Sequence, residues 1–207
     1  GKAVYTNTGA WSTKAIIEAK KVGNVITLAD SSDKNYNYIP KNYCIPNEAD
    51  YFHCTSNNTI YGTQMHKFPE SPIPIACDMS SDIFSRRIDI SKFSLIYAGA
   101  QKNMGPAGTT LVIVKNSVLG KTSRNIPTML DYNTHIKKES MFNTPPVFPI
   151  YVSMLTLNWL KNFTFNLIIK THFLKGFLFR NRVCIPQSKL NSSFMAFFCQ
   201  IRINCFI

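Results

Sequence analysis

An α/β fold with a largely parallel sheet is what this sequence predicts, and three observations predict it. Short apolar runs recur through the first 162 residues between turn-forming stretches. A helical pattern follows the first of the chain's small-residue turns. A second, longer helical pattern closes this part of the chain. The first helix is expected from about Ser12 to Val22, with Trp11, Ala15, Ala19 and Val22 at spacings of three and four, and Gly23 stops it. Strands are expected at Val25 to Leu28, Tyr51 to Thr55, Ile75 to Cys77, Leu95 to Ala98 and Thr109 to Val114. The stretch from Ser31 to Asn47, rich in Asn, Ser, Tyr and Pro, reads as an irregular surface excursion. The closing helix is expected from about Pro146 to Lys161, with Val147, Ile150, Tyr151, Met154, Leu157 and Leu160 on one broad face.

Composition divides the chain at Phe163. Residues 1–162 carry 17 of the 23 basic and all 11 acidic side chains, whereas residues 163–207 hold no acid, six basic residues and nine of the fifteen phenylalanines. This basic, Phe-rich tail is expected to be unrelated to what precedes it, as the product of a mis-joined reading frame or as a disordered extension. Charges at Lys170, Lys175, Arg180, Arg182, Lys189 and Arg202 interrupt its apolar runs well short of the roughly 18 residues a membrane helix needs, so no membrane partner is expected. Half of the net charge of +12 comes from the tail. The remaining cations are scattered without an aromatic-interleaved stripe, so no nucleic-acid partner is expected either.

Six cysteines, at 44, 54, 77, 184, 199 and 205, and four histidines, at 53, 66, 135 and 172, lack the paired spacing of metal ligands. No metal is expected, and the thiols suit a reducing, cytoplasmic setting.

Chemistry concentrates around two apolar runs. Ile96 to Gly108 sets Lys102 between a strand and a turn of small residues; burial there would strip its solvation, lower its pKa and leave a neutral amine able to form a Schiff base. Upstream, Ala76-Cys77-Asp78-Met79-Ser80-Ser81 ends a second strand in a carboxylate. Adjacent strand ends would offer Lys102 and Asp78 to one pocket, the pair that pyridoxal phosphate requires: an amine for the aldehyde and an acid for the pyridine nitrogen. Each also has an ordinary reading. Lysines at strand ends are usually solvated, and Asp78 can simply cap the serine-rich turn that follows.

Five segments in order resemble the phosphoserine aminotransferases, fold-type I enzymes of the class V aminotransferase family. They are Thr8-Gly9-Ala10-Trp11-Ser12, Asn57 to Gly62, Cys77 to Ser81, Ala98 to Asn103 and Phe142 to Pro146, within alignable sequence from about Lys2 to Asn162. The resemblance implies a three-layer large domain, incomplete at both ends, that binds pyridoxal 5'-phosphate. It implies that Lys102 and Asp78 are catalytic. It further implies cofactor contacts from Trp11 (ring stacking), Thr59 (its hydroxyl) and Gln101 (phosphate), and from Asn143 with Thr144, reaching the phosphate across a homodimer. Taken alone, Trp11 reads as core, Thr59 as a turn residue and Asn143 to Pro146 as a helix entry.

The implied reaction moves an amino group from glutamate to 3-phosphohydroxypyruvate in serine biosynthesis, with small amino and keto acids as substrates. The family's glutamate before the loop threonine is Asn58 here. Its phosphate-cradling turn should precede Gly1, and its carboxylate-binding arginine should lie beyond Asn162; the 207-residue chain is therefore expected to be inactive by itself. A non-catalytic relic, or another fold-type I enzyme such as a decarboxylase or lyase, is the alternative these residues leave open.

Overall fold

A computed structural model describes residues 1–163 and 194–199. The chain forms two compact units, one of Gly1–Asp82 with Asp89–Ile96, the other of Ile83–Ile88 with the residues from Tyr97 on.

The first unit is built on β1 (Lys2–Asn7), a strand the sequence reading did not anticipate. Residues Ala3 through Asn7 are all buried. The strand is central, and its polar end, Thr6-Asn7, hides it from a search for apolar runs. It pairs in parallel with β2 (Asn24–Asp30) on one side and with β3 (Tyr51–Thr55) on the other, and β3 pairs in parallel with β6 (Ile75–Asp78). Here the expected parallel sheet is found, within one or two residues of the expected strand bounds.

Helix α1 (Ala10–Lys20) joins β1 to β2, two residues earlier than expected. Ser12 explains the early start: its hydroxyl accepts from the Thr8 and Gly9 amides at 2.8 and 2.9 Å and so occupies donors at the helix entry. Ala15, Ala19 and Ile16 pack against Ala3 and Tyr5, the small side chains letting the helix lie close to the sheet. Val22, expected on this face, lies past the helix end and is 71% exposed.

The 31–47 excursion is irregular, as expected, apart from one 3-10 turn at Ser32–Lys34. Asn35 and Tyr36 then adopt left-handed φ values of 52° and 57°. The Tyr36 ring lies 4.8 Å from that of Tyr61, which fastens the excursion to a small hairpin, β4 (Asn57–Asn58) and β5 (Thr63–Gln64).

Strand β7 (Leu95–Gly99) carries the chain into the second unit. There β8 (Thr110–Lys115) pairs antiparallel with β9 (Phe194–Cys199), and Asp131 caps α2 (Tyr132–Lys137) by accepting from Asn133 N–H at 2.9 Å. Apart from β9, the tail lies outside the described residues.

Helix α3 (Val147–Phe163) matches the expected closing helix, and the broad apolar face expected on it is buried only in part. Ser153 and Leu157 are buried, with Ile150, Met154 and Leu160 half-buried beside them. Val147 and Tyr151, expected on the same broad face, are 70% and 53% exposed and continue into an outer stripe with Phe148, Leu155 and Trp159. Apolar residues lie on both sides of this helix, so periodicity alone does not select the inner one.

Candidate active site

The carboxylate of Asp78 stands at the C-terminal end of β6, the end of a parallel sheet where ligand sites form. One of its oxygens accepts from both the backbone amide and the hydroxyl of Ser80, at 2.9 and 2.6 Å. The capping reading of Asp78 and its candidate role are thus compatible, since the turn that it caps fixes the orientation of its carboxylate.

Thr59 sits exposed at the tip of the β4–β5 hairpin, its hydroxyl 2.9 Å from that of Ser81. Ser81 in turn donates to the Asn57 carbonyl at 3.2 Å. At the hairpin base, the Ser56 amide donates to the Asp78 carbonyl at 2.9 Å, and Met65 N–H donates to the Ser56 carbonyl at 2.7 Å. The structure therefore brings Thr59 and the Asp78 turn together through side chains of the turn itself.

Trp11 is half-buried in the first turn of α1, with the Lys14 ammonium 4.8 Å from its ring centre. Just before it, Gly9 lies against buried Asn58. A Cβ at Gly9 would come within 2.7 Å of the Asn58 amide oxygen, so this close approach requires glycine. Asn58 itself donates to Thr63 Oγ1 at 3.1 Å and accepts from Thr8 Oγ1 at 3.4 Å. An amide serves both neighbours here, as donor to one and acceptor from the other, which a carboxylate could not.

Beneath these loops, Cys54 and Cys77 face each other in register with sulfurs 3.6 Å apart, and burial pushes the Cys77 thiol well up from its ordinary pKa. His53, stacked 4.6 Å from the Tyr5 ring, is held down to about 4 by burial.

In the second unit, Lys102 and Gln101 lie in the turn after β7, and both are exposed. The burial expected around Lys102 is not found. The strand ends at Gly99, and the turn instead buries Ala100 and Met104. Ala100 N–H donates to Thr109 at 3.0 Å, and Gly105 N–H donates to Ala100 at 2.7 Å. Asn103 is tied down by donating to the Ile83 carbonyl at 2.5 Å. Asn143 and Thr144 are exposed ahead of the two prolines that lead into α3.

Sequence reasoning passed over Ser56, Gln64 and Asp82, which order the Asp78 turn. The only signal for them was a second acid four residues after Asp78, in a segment read for its first acid alone. Among the described residues, no group of three His, Cys, Asp or Glu side chains is placed to hold a metal, and no helix is long and apolar enough to cross a membrane.

Comparison with known proteins supplies the family. The model of the class-V aminotransferases matches residues 1–176. The phosphoserine aminotransferase of Flavobacterium psychrophilum is 70% identical over 162 residues, covering 78% of this chain and 46% of that protein. Among solved structures, the phosphoserine aminotransferase of Bacillus circulans subsp. alkalophilus superposes with a TM-score of 0.74 at 44% identity, over 78% of this chain and 45% of the other. The pyridoxal-phosphate-bound enzyme of Trichomonas vaginalis gives 0.72 at 34% identity, over 78% and 49%. The chain thus spans about half the length of these relatives. A family match over most of its length, together with the parallel sheet that carries Asp78, means that this chain belongs to the class-V aminotransferases.

Proposed function

We propose that this chain is the cofactor-binding part of a phosphoserine aminotransferase. The observation that carries the reading is the Asp78 carboxylate, fixed at a parallel-strand end by Ser80 with Thr59 tied beside its turn through Ser81. The donor set fits pyridoxal phosphate in kind: an amine, a carboxylate, an aromatic ring and hydroxyl and amide groups. When bound, that cofactor supplies an electron-withdrawing ring that stabilises negative charge at a substrate's Cα.

The chain's own residues would do the rest. Lys102 Nζ would hold the cofactor's aldehyde carbon and later carry the proton to and from Cα. Asp78 would keep a proton on the ring nitrogen, an acid–base task suited to a carboxylate of fixed orientation. Trp11 would cover one ring face, Thr59 would hydrogen-bond the cofactor, and Gln101 would hold the phosphate. Asn143 and Thr144 would reach the phosphate of a partner subunit in a homodimer. The exposed apolar stripe that starts three residues later at Val147 supports such an interface. The substrates would be glutamate and 3-phosphohydroxypyruvate. Facing cysteines that remain thiols support a cytoplasmic setting. For the tail, the change in composition at Phe163 supports a segment unrelated to residues 1–162, although the family match runs on to residue 176.

The test is glutamate-dependent formation of phosphoserine by this chain, alone and completed with the flanking portions of the Flavobacterium psychrophilum relative. The completed protein is expected to turn over, the chain alone is not, and Asp78→Asn in the completed protein should retain cofactor while losing about a hundredfold or more in rate. Near-normal turnover by Asp78→Asn would remove that residue from its role.

A further inference from the structure

We propose that Asp82 is a positioning residue that locks the Asp78 turn to the Thr59 hairpin, an inference that rests on the function proposed above for those two residues. Asp82 is only 7% exposed. A carboxylate is costly to bury unless donors surround it, so packing alone does not account for an acid here. Two donors converge on it from the hairpin base. The Ser56 hydroxyl makes a short hydrogen bond to one oxygen, and Gln64 Nε2 donates to the other at 3.0 Å. An acceptor-only group with two oxygens answers both at once.

The position of those donors gives the lock its effect. Ser56 follows β3 directly, and its hydroxyl also lies 3.0 Å from the Asp78 carbonyl. Gln64 pairs with Asn57 across the hairpin that presents Thr59 at its tip. Asp82 therefore grips the hairpin at its base, while Ser81, one residue earlier, grips it at the tip through Thr59. At the other end of the same five-residue turn, Ser80 orients Asp78. The carboxylate and hydroxyl assigned to the cofactor thus share one support, and loosening Asp82 loosens both. Such supporting contacts set the angular precision of groups that touch a ligand.

The test uses the 207-residue chain and its variants Asp82→Ala and Gln64→Ala, with two readouts. The first is amide hydrogen exchange without cofactor, resolved by peptide. The second is affinity for pyridoxal phosphate by absorbance titration. In Asp82→Ala, peptides over residues 56–65 and 78–82 should exchange about tenfold faster or more, while those over α1 and β1 are unchanged. Affinity should fall by about tenfold. Gln64→Ala, which removes one donor only, should shift both readouts in the same direction by less, and it decides the matter should Asp82→Ala not fold. Uniform acceleration across the chain would show a merely structural role and overturn the proposal. So would unchanged exchange in the two loops, or loosened loops with unchanged affinity. Should the unsubstituted chain fail to bind pyridoxal phosphate, the functional reading fails, and the exchange pattern by itself upholds or overturns the lock.

Discussion

Two turns carry the proposed chemistry, and they are built in different ways. The turn from Asp78 to Asp82 is held by side chains: Ser80, Ser81, Ser56, Gln64 and Asp82 form a web in which most members are buried or half-buried. The turn from Ala100 to Gly108 has backbone hydrogen bonds at Ala100 and Gly105, a side-chain bond from Asn103, and buried Ala100 and Met104, and it leaves Gln101 and Lys102 exposed. The difference suits the two proposed tasks. An acid that must keep one orientation gains from a web that removes its freedom, while a lysine that must hold an aldehyde and then carry a proton needs a long arm on a firm base.

The largest expected effect that would break this comparison is in the second turn. Met104 is fully buried, and Met104→Ala should cost about 2–5 kcal/mol, read as a loss of thermal stability concentrated in the second unit. A cost well under 1 kcal/mol would mean that the Lys102 turn has another anchor.

A smaller effect concerns the sheet beneath the first turn. His53 has a folded-state pKa of about 4, below its ordinary 6.5, so it is neutral in the folded chain where the unfolded chain would bind a proton. Its contribution is fully present above about pH 6.5 and is lost as pH falls towards 4, a range worth on the order of 3 kcal/mol. Denaturant midpoints measured across that range should fall with pH for the unsubstituted chain and stay flatter for His53→Phe; parallel curves would show that His53 is not the titrating group.

Much of the fold was legible in the sequence, because strands buried on both faces are short apolar runs. β3 is bounded at Tyr51 and Thr55 as expected, and α1 is displaced only by the Ser12 hydrogen bonds. β1 was hidden by the polarity of Thr6 and Asn7. The expected face of α3 was drawn too broad, because Val147 and Tyr151 are apolar and yet exposed. In the candidate site, Asp78 and Thr59 were proposed from their segments, and the structure sets Thr59 beside the Asp78 turn. The exposure of Lys102 was not, since burial depends on where the strand ends, and β7 ends three residues before it. Asp82 was invisible for the same reason: its partners Ser56 and Gln64 are 26 and 18 residues away, and only the paired strands bring them near.

The central claim is that Lys102 carries the cofactor although its side chain is exposed in this chain. The most direct measurement is to incubate the 207-residue protein with pyridoxal phosphate, reduce with borohydride, digest and map the pyridoxyl label. The account predicts label on Lys102 and its loss in Lys102→Arg; label that settles on another lysine, or that persists in the variant, would contradict it.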